Sequence, residues 1–123
     1  MVLVDTSVWV DHLRYKDGAL FHLLEQGRVC IHFMIIGELA CGHLQNREQL
    51  ISLWKNLPHV SEANHDEALF CLDTNWLMGR GIGFIDLHLI ASTLLTPDTL
   101  LWTKDRRLNS VAQFLHVNWI PDP

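Results

Sequence analysis

Four acidic residues of this chain stand where a predicted strand meets a helix or inside an apolar helix. A carboxylate taken out of water costs several kcal/mol unless it is paired, hydrogen-bonded or bound to a metal. The apolar surroundings of these residues therefore indicate a chemical role for the set, with a cation among the carboxylates. The four residues are Asp5, Glu38, Asp86 and Asp105.

The ligand chemistry of such a set favours a hard divalent cation. Carboxylate oxygens prefer Mg²⁺ or Mn²⁺ to the softer metals. Carboxylates that lie close together also repel one another, which raises their pKa values unless a cation compensates. Bound Mg²⁺ or Mn²⁺ can activate water and neutralise charge on a leaving oxygen. The set therefore suits phosphodiester hydrolysis, for which no nucleophilic side chain is needed.

Two of the four acids directly follow predicted strands. The apolar residues at the chain start end at Asp5, after which apolar residues return at helical spacing. Thr6 and Ser7 suit the cap of that helix, because a side-chain oxygen there accepts from free backbone amides. A later strand at 99–103 is followed by Asp105, which is predicted to cap the next helix.

The other two acids lie in predicted helices. A strand candidate at 29–32 precedes an apolar helix at 33–42, which contains Glu38. A loop with three glycines precedes the helix at 85–91, which begins with Asp86 in its first turn. A carboxylate in that position also complements the helix dipole. We expect both acids in the first turns of helices that start near the sheet edge.

The alternation of strands and helices predicts an α/β fold with a central parallel sheet and helices on its faces. Ligands of such sheets bind at the carboxyl ends of the strands. The four acids are therefore expected to meet at that edge. Each acid also has a purely structural interpretation: Asp5 and Asp105 as helix caps, Asp86 as a dipole partner, and Glu38 as a core acid paired with an arginine.

Four segments of the chain together resemble the successive motifs of PIN-domain nucleases, in particular the small VapC toxins of bacterial toxin–antitoxin pairs. The segments are Asp-Thr-Ser at 5–7, Gly-Glu-Leu-Ala-Cys-Gly at 37–42, Gly-Ile-Gly-Phe-Ile-Asp-Leu-His-Leu-Ile-Ala at 81–91 and Trp-Thr-Lys-Asp-Arg-Arg-Leu at 102–108. Their order and spacing carry the resemblance, which spans nearly the whole chain.

The resemblance implies a three-layer α/β/α fold and Mg²⁺- or Mn²⁺-dependent endoribonuclease activity. It also implies a homodimer that is inhibited by a cognate antitoxin. Asp5, Glu38, Asp86 and Asp105 match the family's catalytic, metal-binding acids, and Ser7 and Thr103 match polar positions that support the site.

Length and composition fit a small enzyme. The 123 residues predict a single domain over 1–123, and the apolar runs are too short to span a membrane. The start of the chain lacks the basic residues and cleavage site of a signal peptide, so we expect a cytoplasmic protein. Three cysteines at wide spacing predict buried, reduced thiols rather than disulfides.

The net charge of −5 is unusual for a protein that acts on RNA. Without the four acids of the predicted site, ten acidic residues stand against nine basic ones, which is close to balance. Basic residues also cluster near two of the acids, and we expect them to contact substrate phosphates; the alternative is a solvated helix face. They are Arg80, Lys104, Arg106 and Arg107.

A histidine and several aromatic residues also need an interpretation. His88 follows Asp86 by two positions, and residues so spaced on a helix face different directions. We therefore expect a surface or packing histidine rather than a catalytic one. The residues predicted to form a dimer or antitoxin interface are Trp9, Leu13, Tyr15 and Trp54.

Two other functional classes remain open at this point. A binding-only module of the same fold would hold a metal or a partner without cleaving RNA. A phosphoacceptor receiver domain shares the size and the parallel sheet, but it needs adjacent acids after the first strand and an aspartate after a middle strand. This chain has one acid after its first strand and no clear middle-strand aspartate.

Overall fold

The structure is a computed structural model that describes residues 1–122. Over this range it contains three strands and seven helices. The strands are β1 (Val2–Val4), β2 (Val29–Cys30) and β3 (Leu100–Trp102). The helices are α1 (Thr6–Tyr15), α2 (Gly18–Glu25), α3 (Phe33–Ala40), α4 (Arg47–Asn56), α5 (His65–Thr74), α6 (Phe84–Leu95) and α7 (Arg106–Phe114).

The three strands form one parallel sheet in the order β2-β1-β3, which confirms the predicted α/β architecture. The central strand, β1, pairs Leu3 with Cys30 on one side and with Leu101 on the other. All three residues of β1 are fully buried, because a central strand covered on both faces has no contact with water. Because β1 and β3 pair in parallel, with Val4 opposite Trp102, their carboxyl ends lie side by side.

The helices pack around this sheet through large apolar side chains. Trp9 of α1 and Trp54 of α4 meet edge to face, with ring centroids 5.8 Å apart, and both are buried in the core. These two residues were predicted at an interface, and that prediction is wrong. Leu13 and Tyr15, in contrast, are exposed near the end of α1.

The helix starts confirm one predicted cap and correct another. Asp105 caps α7, because its side chain accepts a hydrogen bond from the Leu108 backbone amide at 2.9 Å. At the start of α1, however, the cap position is held by Asp5, and no side chain there caps the helix amides among the described residues. Thr6 and Ser7 were expected to do so, but their hydroxyls bind other groups.

His88 is a packing residue, as predicted. It is buried in α6, where its Nδ1 lies 3.2 Å from the Ala63 carbonyl oxygen and its Nε2 lies 2.9 Å from Nδ1 of His65. Both ring nitrogens are thus occupied by hydrogen-bonding groups from the region around α5. His88 has no ring nitrogen left for the acidic site.

The burial of the cysteines follows the prediction in part. All three cysteines are free thiols, and burial raises the pKa of Cys30 to about 11. Cys30 and Cys71 are buried as expected, whereas Cys41 is exposed, which corrects the prediction for that residue. Within residues 1–122 no helix is both long and apolar enough to cross a membrane.

Candidate active site

Asp5 is the most enclosed acid of the site. Only 7% of its surface is exposed, at the carboxyl end of the central strand. Its backbone amide donates to the Trp102 carbonyl oxygen at 2.9 Å, which extends the β1–β3 pairing to this residue. Its carboxylate oxygen Oδ2 accepts hydrogen bonds from Ser7 Oγ at 2.9 Å and Thr103 Oγ1 at 2.7 Å. These two bonds satisfy one oxygen of the buried carboxylate and fix its orientation.

The same two hydroxyl groups connect Asp5 to the loop between β3 and α7. Thr103 Oγ1 accepts a hydrogen bond from the Asp105 backbone amide at 3.0 Å, and Ser7 Oγ accepts one from the Lys104 amide at 3.0 Å. Each hydroxyl therefore donates to Asp5 and accepts from the loop between β3 and α7. The network holds that loop against the start of α1.

Glu38 reaches the edge from a position that differs from the prediction. It lies in the second turn of α3, not the first, and it is exposed. Its Oε1 accepts a hydrogen bond from Thr6 Oγ1 at 2.7 Å, which connects α3 to the start of α1. Within the described chain no arginine pairs with Glu38, so the interpretation as a core ion pair is wrong.

The remaining two acids differ in their exposure. Asp86 lies in the first turn of α6, as predicted, and is half-buried. Asp105 is exposed at the start of α7. The expected enclosed setting is therefore found for Asp5 and Asp86, and it is wrong for Glu38 and Asp105.

The other three acids of the site act on the charge of Asp86. Burial raises the pKa of Asp86, and the negative charges of Asp5, Asp105 and Glu38 raise it further. An interaction with the Gly83 backbone amide partly offsets these effects. No lysine or arginine within residues 1–122 forms an ion pair with any of the four acids. The edge of the sheet thus carries concentrated negative charge without a protein cation to balance it.

The donor groups of the site fit a hard divalent cation. In Asp5, Glu38 and Asp105, one carboxylate oxygen is held by a hydrogen bond, and the second accepts none from residues 1–122. As the side chains stand in this part of the chain, no three of them are close enough to ligate one metal directly. Mg²⁺ tolerates such a spread arrangement, because it usually keeps several water ligands and binds few carboxylates directly.

The four predicted substrate-binding residues have different environments. The ammonium Nζ of Lys104 lies 3.0 Å from Asp11 Oδ2 and 3.2 Å from Asp17 Oδ2. Desolvation opposes the charge, but these two partners outweigh it and keep the pKa of Lys104 above its usual value. Lys104 therefore keeps its charge, and two aspartates of the protein balance it. The residues next to Lys104 in the sequence do not indicate this pairing.

The three arginines, in contrast, are exposed and form no ion pair with the described residues. Arg80 Nε donates to the Trp76 carbonyl oxygen at 3.2 Å, and its guanidinium lies over the Phe114 ring at 4.1 Å from the centroid. Arg107 packs against Gly81, where an added Cβ would lie 2.7 Å from Arg107 Cδ. Arg106 is exposed in the first turn of α7.

Three residues that position the site were missed from the sequence. Thr6 was interpreted as a cap, although its hydroxyl binds Glu38. Asp11 and Asp17 bind Lys104 from 93 and 87 positions away in the chain. Thr6 directly follows Asp5, and that position was a signal for its role in the site. No local pattern, in contrast, points to the contacts of Lys104 with Asp11 and Asp17.

The fold and the four acids at one sheet edge define a class of protein, and a comparison with protein families agrees. The family model described as "PIN domain" matches residues 2–113. The chain belongs to the PIN-domain family, so the receiver-domain alternative is wrong and the resemblance drawn from the four segments is confirmed.

Particular relatives support this assignment. The chain is 40% identical over 112 residues to Ribonuclease VapC32 of Mycobacterium tuberculosis, with 91% of this chain and 90% of the relative covered. A solved structure, PAE2754 from Pyrobaculum aerophilum, matches with a TM-score of 0.61 at 17% identity, covering 89% of this chain and 82% of the other. The structural match supports the three-layer α/β/α fold, as predicted.

Proposed function

We propose that this protein is a VapC-type toxin that hydrolyses RNA phosphodiesters with the help of Mg²⁺ or Mn²⁺. The proposal extends to this chain the activity stated in the name of its relative, Ribonuclease VapC32. The observation that carries it is the group of four carboxylates at the carboxyl edge of the sheet, none of which forms an ion pair with a described lysine or arginine. Burial raises the pKa of Asp86, and the charges of the other three acids raise it further. Negative charge concentrated in this way needs a cation before an RNA phosphate can approach.

Asp5, Glu38, Asp86 and Asp105 would hold the divalent ion. When bound, such an ion supplies a nucleophilic water at neutral pH and stabilises charge on the phosphate oxygens. Each of the four residues keeps at least one carboxylate oxygen free of hydrogen bonds from residues 1–122, which leaves these oxygens available as ligands.

The chain's own residues orient the acids and the substrate. Ser7 and Thr103 hold one oxygen of Asp5, so that its other oxygen points in a defined direction. Arg106 and Arg107, beside Asp105, would contact substrate phosphates. Lys104 is assigned a different role, because Asp11 and Asp17 already occupy its ammonium group.

An antitoxin is the proposed inhibitor, and a groove beside Glu38 is a suitable binding place. The groove has a volume of about 460 Å³ and reaches Glu38 from the side of α1, α3 and the chain that follows α3. A segment bound there would lie next to the acids and could block access of RNA. The apolar residues of the lining are Val10, Leu13, Leu39, Leu44 and Leu50.

A homodimer is proposed from the exposed apolar surface of α5 and α6. Phe70, Leu94 and Leu95 line one shallow pocket between these helices, which a second copy of the chain could cover. Light scattering on the purified protein should give twice the mass of 14.2 kDa. A monomeric mass at all concentrations would contradict the dimer but leave the enzyme activity open. The exposed residues are Leu69, Phe70, Leu94 and Leu95.

The activity is tested by incubating the purified, antitoxin-free protein with total cellular RNA. We expect discrete fragments in Mn²⁺ or Mg²⁺ and none in excess EDTA. Asp86→Asn should lower cleavage by at least about a hundred-fold, because it removes one charge from the acidic site. Asp66→Asn is a matched control, since Asp66 occupies the first turn of α5 and has no part in the site.

The outcome separates this proposal from the binding-only alternative. Fragments that require both the metal and Asp86 would support a metal-dependent endoribonuclease. No cleavage of any RNA by the folded protein would contradict the proposal and favour a module that binds without cleaving. Cleavage by Asp86→Asn at the wild-type rate would indicate a contaminating nuclease.

A further inference from the structure

Beside the acidic site, four exposed side chains form a strip. Its two arginines were expected to contact phosphates, and its two aromatic rings have no assigned role. In the loop after α5, Arg80 Nε donates to the Trp76 backbone carbonyl oxygen, and the Arg80 guanidinium lies over the ring of Phe114 at the end of α7. Trp76 is 74% exposed and Phe114 is 51% exposed. We call Trp76, Arg80, Arg107 and Phe114 the arginine–aromatic strip.

The strip starts at the site and leads away from it. Arg107 lies two residues after Asp105, and its side chain packs against Gly81. Gly83, in the same loop, is the cap position of α6, whose first turn holds Asp86. The loop and α7 thus lie side by side, and each is joined to one of the site acids.

The arginines of the strip are arranged to receive an anion. Arg80 uses Nε to bind the Trp76 carbonyl oxygen and stacks on Phe114, which fixes the plane of its guanidinium. Among the described residues, neither Arg80 nor Arg107 has an acidic partner. A preorganised guanidinium with free terminal nitrogens suits bidentate binding of a phosphate.

We propose that the arginine–aromatic strip binds the single-stranded RNA that extends from the cleavage site. In this arrangement Trp76 stacks on a nucleobase, and Arg80 and Arg107 bind backbone phosphates. Single-stranded nucleic acids are commonly held by this combination of exposed aromatic rings and basic groups. The proposal rests on the proposed ribonuclease function and assigns part of its substrate site. A duplex should bind less well, because its bases are not free to stack on Trp76.

The first test measures binding apart from cleavage. Fluorescence anisotropy with a labelled single-stranded RNA oligonucleotide, on the Asp86→Asn background, gives the dissociation constant. We expect Trp76→Ala to raise it roughly ten-fold and Trp76→Phe to restore most of the affinity. Arg80→Ala should raise the dissociation constant roughly five-fold. It should also make the slope of log affinity against log salt concentration shallower by about 0.7.

Matched controls use similar residues away from the strip. Tyr15→Ala removes an aromatic ring that is 79% exposed at the end of α1. Arg28→Ala removes an exposed arginine that precedes β2, at the opposite edge of the sheet. Both controls should bind RNA within about two-fold of the parent. Thermal melting of every variant establishes that affinity changes do not come from unfolding.

The second test uses the cleaving protein with its native acids. Trp76→Ala and Arg80→Ala should raise KM and change kcat by less than about two-fold, because the strip does not touch the reacting atoms. Wild-type RNA affinity and KM in both variants would contradict the proposed role of the strip. Loss of the dimer with unchanged RNA affinity would also contradict it and would indicate a protein interface instead. If the parent neither binds nor cleaves RNA, the ribonuclease function itself fails; if it does both while the variants behave as wild type, only the strip fails.

Discussion

Thr6 illustrates how a single hydroxyl group can set the geometry of an acidic site. Glu38 is exposed, and an exposed glutamate normally samples several rotamers. The 2.7 Å hydrogen bond from Thr6 Oγ1 holds one of its oxygens and directs the side chain toward the start of α1. Thr6 therefore acts through Glu38 and need not touch the substrate.

Replacing Thr6 by valine tests this positioning role. We expect Thr6→Val to lower cleavage by roughly ten- to a hundred-fold, as is typical when a partner of a metal ligand is removed. Because the hydrogen bond is exposed, the melting temperature should change little. Thr6→Ser keeps the hydroxyl and should restore activity. Equal losses in the valine and serine variants would contradict the role of the hydroxyl.

Asp86 provides a second test at the scale of one residue. Its folded-state pKa lies above the ordinary value of 3.8, so the folded state favours the neutral acid. As the pH rises from 3.8 to the raised pKa, ionisation of Asp86 lowers the stability of the fold, and the full loss is present above the raised pKa. In the absence of divalent ions, Asp86→Asn should raise the melting temperature at pH 7 by roughly 2–5 °C.

The gain from Asp86→Asn should vanish below pH 3.8, where Asp86 is protonated in both the folded and the unfolded state. Differential scanning calorimetry over a pH series measures this dependence. Asp66→Asn is the control, because Asp66 occupies a similar helix position without acidic site neighbours. An equal gain in the control, or a lower melting temperature for Asp86→Asn at pH 7, would contradict repulsion among the site acids.

At the scale of elements, Lys104 joins three parts of the chain. Its backbone amide binds Ser7, and its ammonium binds Asp11 of α1 and Asp17 before α2. The adjacent Thr103 and Asp105 belong to the acidic site. Lys104 therefore fixes the loop between β3 and α7 against α1 and α2, rather than meeting the substrate.

Lys104→Met should lower cleavage several-fold while RNA affinity and its salt dependence stay near the wild-type values. Exposed ion pairs contribute at most about 1 kcal/mol each, so the melting temperature should fall by only a few degrees, and less in high salt. Lys104→Arg keeps the charge and should retain most of the activity. A weaker RNA affinity with a reduced salt slope would instead show that Lys104 binds a phosphate.

At the scale of the whole molecule, a divalent ion should stabilise the fold by balancing the acidic edge. A ligand present at 100 times its dissociation constant adds about 2.7 kcal/mol to the free energy of unfolding. We expect Mn²⁺ to raise the melting temperature and EDTA to reverse the rise. Asp5→Asn should abolish most of this response. A matched variant, Glu25→Gln in the exposed part of α2, should keep it.

The sequence by itself determined the elements and the edge at which they act. Apolar runs and helix signals depend on near neighbours, so the positions of β1, β3 and the start of α6 could be read locally. The parallel arrangement then followed from the alternation of elements. That arrangement was sufficient to bring Asp5 and Asp105 to one edge.

Tertiary structure alone decided which side chains bind one another there. The partners of Lys104 lie 87 and 93 positions away, and Glu38 binds a hydroxyl 32 positions away. Likewise, Trp9 and Trp54 share the core because α1 and α4 pack together, although both looked suited to an interface. Such contacts depend on the relative placement of whole elements, which no local pattern of residues encodes.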